Sequence, residues 1–172
     1  MTAPAPIAML AELTYRCPLS CPYCSNPVEM AAREKEISTE LWVDVFRQAA
    51  GLGVLQLHLS GGEPASRRDL VDLVAGARDA GLYTNLITSA IGLTQRRLAE
   101  LDAAGLDHVQ LSLQGTDADM ADRIGGYNGG FNRKMQAAAW IVEAGFPLTR
   151  NAVVHRQNLH QLPEAIEMAV DM

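Results

Sequence analysis

The chain has 172 residues, 48% of them hydrophobic, enough for one domain with a real core. Its net charge is −6 with acidic and basic residues interspersed, so no Lys/Arg block offers a surface for nucleic acid or an anionic membrane. No apolar run reaches the roughly 18 residues of a transmembrane helix, and Met1–Pro6 lacks the basic and apolar regions of a signal peptide.

Residues 1–6 read as a disordered lead-in and 7–172 as one domain. The first apolar run, Ile7–Leu13, leads into a loop that holds all three cysteines of the chain: Cys17, Cys21 and Cys24. Pro18, Pro22 and Pro27 keep that loop out of regular helix and strand. The charged run Arg33–Glu36 reads as a solvated face. A helix fits Ser38–Ala50, with Ser38 as N-cap, Glu40 at the positive helix end, and Leu41, Val45 and Phe46 on one face. From there a unit repeats. Ala-Gly-Leu or Ala-Gly-Phe at 50–52, 80–82, 104–106 and 144–146 ends each helical stretch, the glycine supplying a left-handed cap. A strand-like run follows each cap: Val54–Ser60, Tyr83–Ser89, His108–Gln114 and Leu148–His155. Helices follow at Asp69–Ala80, Thr94–Ala104, Phe131–Ala144 and Leu159–Met172, with Ser66 and Thr94 as N-caps.

Five strands alternating with five helices through short connections predict parallel, right-handed βαβ units. The strands also alternate in polarity. Gln56, His58 and Ser60 oppose Leu55, Leu57 and Leu59. Gln110, Ser112 and Gln114 oppose Val109, Leu111 and Leu113. Glu12 and Thr14 share a face, as do Asn151 and His155. A polar inner face predicts a hydrated interior, whereas a closed eight-stranded barrel packs its interior with apolar side chains. The fold class is therefore α/β, an open, partial TIM-like barrel of the (β/α)6 type, here with five βα units. Met172 falls inside a helical pattern without a cap, so the chain reads as the front part of a longer protein.

The cysteines are odd in number and too close in sequence for a disulfide framework, which points to metal binding in a reducing cytoplasm. Structural zinc usually takes four protein ligands, and no second cysteine pair exists. A redox Cys-x-x-Cys leaves Cys17 without a role, and inert cysteines would not cluster between prolines. An iron–sulfur cluster fits best. With three thiolates, one iron keeps an open position for a small molecule. A second chemical stretch is Ser60-Gly61-Gly62-Glu63-Pro64, at the C-terminal end of a strand, where ligands of βα folds bind. Paired glycines let a backbone approach a ligand, and Glu63 can balance a ligand ammonium. The same residues also make an ordinary turn. His58 and His155 read as hydrogen-bonded scaffold. Gly125–Gly130 lacks the Lys-Ser/Thr of a phosphate loop and reads as a mobile loop near the barrel mouth.

Cys-x3-Cys-x2-Cys with Tyr23 before the last cysteine, followed by Gly61-Gly62-Glu63-Pro64 on the next strand, resembles the radical S-adenosylmethionine superfamily. The resemblance implies a [4Fe–4S] cluster on Cys17, Cys21 and Cys24, with S-adenosylmethionine on the open iron. It implies reductive cleavage to methionine and a 5′-deoxyadenosyl radical that takes hydrogen from substrate. Tyr23 then packs near the adenine, and Gly61, Gly62 and Glu63 hold the methionine amino group. Thr88 and Ser89 stand where related proteins often read Thr-Asn-Gly. Ser112 and Gln114 stand where the family often places ribose-binding Ser and Asp, and Asn151 stands at a cofactor-contacting position.

Within the superfamily, three stretches resemble the PqqA peptide cyclase family of pyrroloquinoline quinone biosynthesis: Glu12–Pro27, Leu57–Pro64 and Gly105–Gly115. So does Leu82–Ser89. That implies a peptide substrate, PqqA, in which a glutamate side chain is joined to a tyrosine ring. It also implies a peptide-binding partner, PqqD, and an electron donor such as a flavodoxin. Auxiliary iron–sulfur clusters belong to a C-terminal extension whose cysteines do not occur here. Two alternatives stand beside this reading: another peptide- or protein-maturing radical enzyme, and a non-enzymatic or inactive metal-binding domain.

Overall fold

The computed structural model describes residues 4–25 and 36–170. Asn26, Pro27 and Arg33–Lys35 lie outside the described residues. Five parallel strands form one sheet: β1 (Ala8–Thr14), β2 (Gln56–Gly61), β3 (Tyr83–Thr88), β4 (His108–Leu113) and β5 (Leu148–Ala152). Their spatial order is their chain order, β1-β2-β3-β4-β5. A doubly wound sheet reverses direction at a switch point and covers both faces. Here every strand is added on the same side of the last. Right-handed crossovers then put all the helices on one face, which is the winding of a barrel.

The helices are α1 (Thr39–Gly51), α2 (Leu70–Asp79), α3 (Gln95–Ala104), α4 (Ala118–Gly125), α5 (Gly130–Glu143) and α6 (Leu162–Val170). The α4 helix departs from the expected alternation. Residues 115–125 lack a long apolar repeat, but Asp117 caps the segment by accepting from Met120 N–H at 2.8 Å, and Ala121 and Ile124 are buried. The expected caps hold at Ser38 and Thr94, whose hydroxyls accept from Leu41 and Arg97. Ser66 does not cap α2: it ends a short 3₁₀ turn at Pro64–Ser66, and Asp69 stands before α2. Left-handed glycines end helices at Gly81, Gly105 and Gly145, but at the first unit the conformation falls on Gly53, because α1 runs through Gly51. The buried face of α1 is Trp42, Phe46 and Ala49, with Val45 packed at its edge; of the expected face Phe46 and Val45 meet the core, while Leu41 is 53% exposed. The large indole decides that face, because burying it removes the most apolar area. β5 ends at Ala152, so His155 lies in the following turn.

The core lies between sheet and helices. Leu57, Leu59, Leu86, Val109 and Leu111 from the strands meet Phe46, Leu73, Leu101 and Ile141 from the helices, all fully buried. The opposite face carries the expected polar row. His58, Asn85 and His108 are register neighbours across β2–β4, with the exposed Leu10 beside them on β1. Asn85 Nδ2 lies 3.0 Å from His58 Nδ1, and His108 Nε2 lies 2.8 Å from Thr149 Oγ1. The histidines thus hydrogen-bond within the sheet. β3 inverts the pattern at its end: Ile87 faces the lumen side, while Thr84 and Thr88 are buried on the helix side and bond Asp107 and Glu63.

Candidate functional site

Two glycines shape the floor of the site. Gly61 ends β2 with φ +115°, and a Cβ there would lie 2.4 Å from the Thr14 carbonyl. A Cβ on Gly62 would lie 2.4 Å from the Arg16 carbonyl and 2.7 Å from that of Tyr15. Only glycine permits this approach. It lets Gly62 N–H donate to Thr14 at 2.6 Å and Glu63 N–H donate to Arg16 at 2.7 Å. The backbone that the glycines admit is therefore the chain's own, immediately before Cys17. The tip of β2 and the root of the cysteine loop are zipped together.

Glu63 is fully buried. One carboxylate oxygen accepts from Ala65 N–H at 2.9 Å and the Thr88 hydroxyl at 2.5 Å. The other accepts from Ser89 N–H at 2.7 Å and from the Ser89 hydroxyl. Both hydroxyl oxygens accept in turn from Ala90 and Ile91 N–H, so their protons point at Glu63. Burial pushes the Glu63 carboxyl up, and these four donors oppose it. The expected partner of Glu63 was a ligand ammonium; in the structure its side chain straps β2 to β3. The strap also holds Ala90 at φ +58°, the single described non-glycine residue in the left-handed region.

The cysteine loop is braced on its far side. Ser20 N–H donates to the Gly125 carbonyl at 2.9 Å, and a Cβ on Gly126 would meet the Ser20 hydroxyl. The glycine-rich segment expected to be a mobile loop is the four-residue turn between the last residue of α4 and the first of α5, braced against the cysteine loop.

Between floor and brace, at the C-terminal ends of the strands, lies a cavity of about 160 Å³. Cys17, Cys21, Cys24 and Tyr23 line it from the loop, and Gly61 and Gly62 from β2. Ser89, Ser112, Gln114 and Asn151 line it from the ends of β3, β4 and β5. Of the expected site residues, only Glu63 is not on the wall. A larger groove of about 390 Å³ runs between β5 and α6, but its lining is mainly apolar, with Leu162 and Ile166 among it.

The three thiols are free, and Cys24 is exposed. Burial pushes the Cys17 thiol up, the Leu19 backbone N–H opposes this, and the nearby Glu63 charge adds to it. Burial likewise raises Cys21, opposed by the Tyr23 hydroxyl and by Lys134. Tyr23 itself is pushed up to about 12, chiefly by burial. Among the described residues no three His, Cys, Asp or Glu side chains converge closely enough for a single metal ion. Three thiols from one loop line one cavity. They fit a cluster, which takes one thiolate per iron.

Two further residues stand around the site without a place in the sequence reading. Lys134 of α5 is 2% exposed, and its Nζ donates to the Ser112 carbonyl at 3.1 Å and to Gln114 Oε1. It lies in phase with buried Ala137, Ala138 and Ile141, so a lysine on an apolar helical stripe was the available signal. Asn158 is buried and donates to the carbonyls of Gln114 at 3.1 Å and Val153 at 3.0 Å. No local signal marks it. Tyr23 rests against His155, ring centroids 5.2 Å apart.

The family profile described as "Radical SAM superfamily" matches residues 11–169. The chain belongs to the radical SAM superfamily. Among curated relatives it is 65% identical over 172 residues to the PqqA peptide cyclase of Ruegeria pomeroyi, covering 100% of this chain and 46% of that protein. It is 62% identical over 165 residues to the PqqA peptide cyclase of Rhizobium meliloti, covering 96% and 44%. The chain thus spans less than half the length of the relatives it matches. Among solved structures, Streptococcus suis SuiB bound to its precursor peptide SuiA superimposes with a TM-score of 0.85 at 23% identity, over 96% of this chain and 37% of that one. Native anSMEcpe with bound AdoMet superimposes with a TM-score of 0.75 at 16% identity, over 95% and 49%. The partial TIM-like barrel of radical SAM enzymes is therefore the fold of this chain.

Proposed function

We propose that the chain carries the S-adenosylmethionine-cleaving centre of a PqqA peptide cyclase, which joins a glutamate side chain to a tyrosine ring in the peptide PqqA. The observation that supports it best is the meeting of three free thiols, two backbone-exposing glycines and four polar strand ends on one cavity. The chain that builds this cavity is 65% identical to a curated PqqA peptide cyclase.

In this reading Cys17, Cys21 and Cys24 hold a [4Fe–4S] cluster with one open iron. When bound, the cluster supplies the electron that cleaves S-adenosylmethionine to methionine and a 5′-deoxyadenosyl radical, which takes hydrogen from the glutamate of PqqA. The residues of the chain bind and orient. The Gly61-Gly62 backbone borders the methionine end, while Glu63 keeps that turn in place from behind. Tyr23 packs near the adenine. Ser89, Ser112, Gln114 and Asn151 offer hydrogen bonds to the ribose and carboxylate. PqqD presents the peptide, a flavodoxin or similar donor supplies electrons, and the reducing cytoplasm keeps the thiols free.

The test is anaerobic reconstitution with iron and sulfide, followed by dithionite and S-adenosylmethionine. Expected products are methionine and 5′-deoxyadenosine; their absence refutes the cleavage reading for this chain. With PqqA and PqqD, the Ruegeria pomeroyi relative carrying this chain in place of its matching segment should yield a peptide two hydrogen atoms lighter, cross-linked between Glu and Tyr. A peptide of unchanged mass beside continued cleavage would point to a different substrate.

A further inference from the structure

The buried Lys134 ammonium sets an electrostatic puzzle. Its hydrogen-bond acceptors are a carbonyl and a carboxamide oxygen, both neutral. Among the described residues no carboxylate lies within ion-pair distance of it. An ammonium 2% exposed and without a counter-charge is costly to bury. Burial accordingly pulls Lys134 down to about 8, while the negative charges of Cys21, Glu63 and Cys17 draw it back up. The largest of those opposing influences is a cysteine of the loop.

A line of hydrogen bonds runs from the lysine to Tyr23, on the wall of the cavity that this cysteine also lines, every donor facing the same way. Lys134 Nζ donates to Gln114 Oε1. That bond fixes the orientation of the carboxamide, whose Nε2 donates to the Tyr23 hydroxyl at 3.2 Å. Because Tyr23 accepts there, its own proton is left to point into the cavity that Tyr23 and Cys21 line together. Asn158 holds the Gln114 backbone from the other side through its carbonyl, at 3.1 Å. Aligned bonds polarise one another, and a donor aimed at a cluster sulfur stabilises the more negative state.

We propose that Lys134, acting through Gln114 and Tyr23 on Cys21, raises the reduction potential of the cluster and so makes its one-electron reduction easier. The inference rests on the proposed cluster on Cys17, Cys21 and Cys24. Its physical basis is simple. Reduction adds one negative charge to an already anionic group, and a buried cation nearby favours the more negative form. The same charge answers the lysine's own burial. Lys134 is thus a positioning and electrostatic residue, and it touches neither cluster nor substrate.

The test is a potentiometric titration of the reconstituted cluster without S-adenosylmethionine, followed by the electron paramagnetic resonance of the reduced form. Lys134→Met keeps the length of the side chain and removes the charge. At a fixed potential the reduced-to-oxidised ratio should fall about tenfold, a shift of about 59 mV to more negative potential for one electron. Tyr23→Phe keeps Lys134 and removes only the last donor, and a smaller shift of the same sign is expected. It decides the matter where Lys134→Met does not fold. Coincident potentials for wild type and Tyr23→Phe, or for wild type and a folded Lys134→Met, overturn the inference and leave the cluster reading intact. A wild-type chain that takes up no cluster overturns the reading on which the inference stands, and the inference with it.

Discussion

Glu63→Gln separates a strap from a ligand. The carboxylate accepts four hydrogen bonds, two at each oxygen. The hydroxyls of Thr88 and Ser89 can rotate, but the backbone N–H groups of Ala65 and Ser89 cannot. One of these N–H groups approaches each oxygen, so the amide nitrogen of glutamine opposes one of them in either orientation. One charge-assisted bond is then lost, worth about 1.5–3 kcal/mol, and a buried donor is left unsatisfied at about 1–3 kcal/mol. About 3 kcal/mol overall is expected, or roughly 1 M in urea midpoint for a denaturant slope of about 3 kcal/mol/M. The assay is equilibrium urea unfolding followed by circular dichroism, paired with S-adenosylmethionine binding to the reconstituted chain. An unchanged midpoint with weakened binding would refute the strap and return Glu63 to the role of a direct ammonium ligand.

Gly62→Ala forces a methyl to within 2.4 Å of the Arg16 carbonyl, and backbone cannot step aside as a side chain can. A loss of about 1–3 kcal/mol and poorer iron uptake per chain are expected, read by urea unfolding and iron analysis. Cys21→Ala should abolish the visible absorbance and iron content of the reconstituted protein; normal values would contradict its assignment as a ligand. Asp69 is held down at about 2, first by its hydrogen bonds from Arg67 and then by Thr39, with burial opposing. Its unfolded value is about 3.9, so this stabilisation is complete above about pH 4 and is lost as pH falls through about 2. Solvent screening of the partly exposed pair reduces it to about 1 kcal/mol. Asp69→Asn should cost that amount at pH 7 and flatten the acid limb between pH 4 and pH 2. A parallel acid limb in the variant would show that the Arg67 pair does not contribute.

The cysteine spacing, the βα repeat and most helix caps were legible because each is encoded over a few residues. Three thiols within eight positions announce a shared centre whatever the fold around them. Ser38 and Thr94 announce helix starts, and period-two polarity on β2 and β4 announces an inner face. Where local signals misled, a tertiary term outweighed them. Burial of Trp42 beside Phe46 left Leu41 exposed on α1, and a short capped helix arose where no long repeat existed. The polar inner face was legible, yet it did not show that Thr88 turns the other way to meet Glu63.

By itself, then, the sequence determined the clustering of the thiols and the order of the strands, since both depend on neighbours along the chain. Only the tertiary structure decided how that centre is held. Glu63 meets Ser89 across 26 residues, Lys134 meets Gln114 across 20, and Gln114 meets Tyr23 across 91. A carboxylate expected to meet a ligand also ties β2 to β3, and a lysine without a place in the sequence reading is a buried charge on Gln114. Their partners arrive through strand pairing and helix packing, which no local run of residues records.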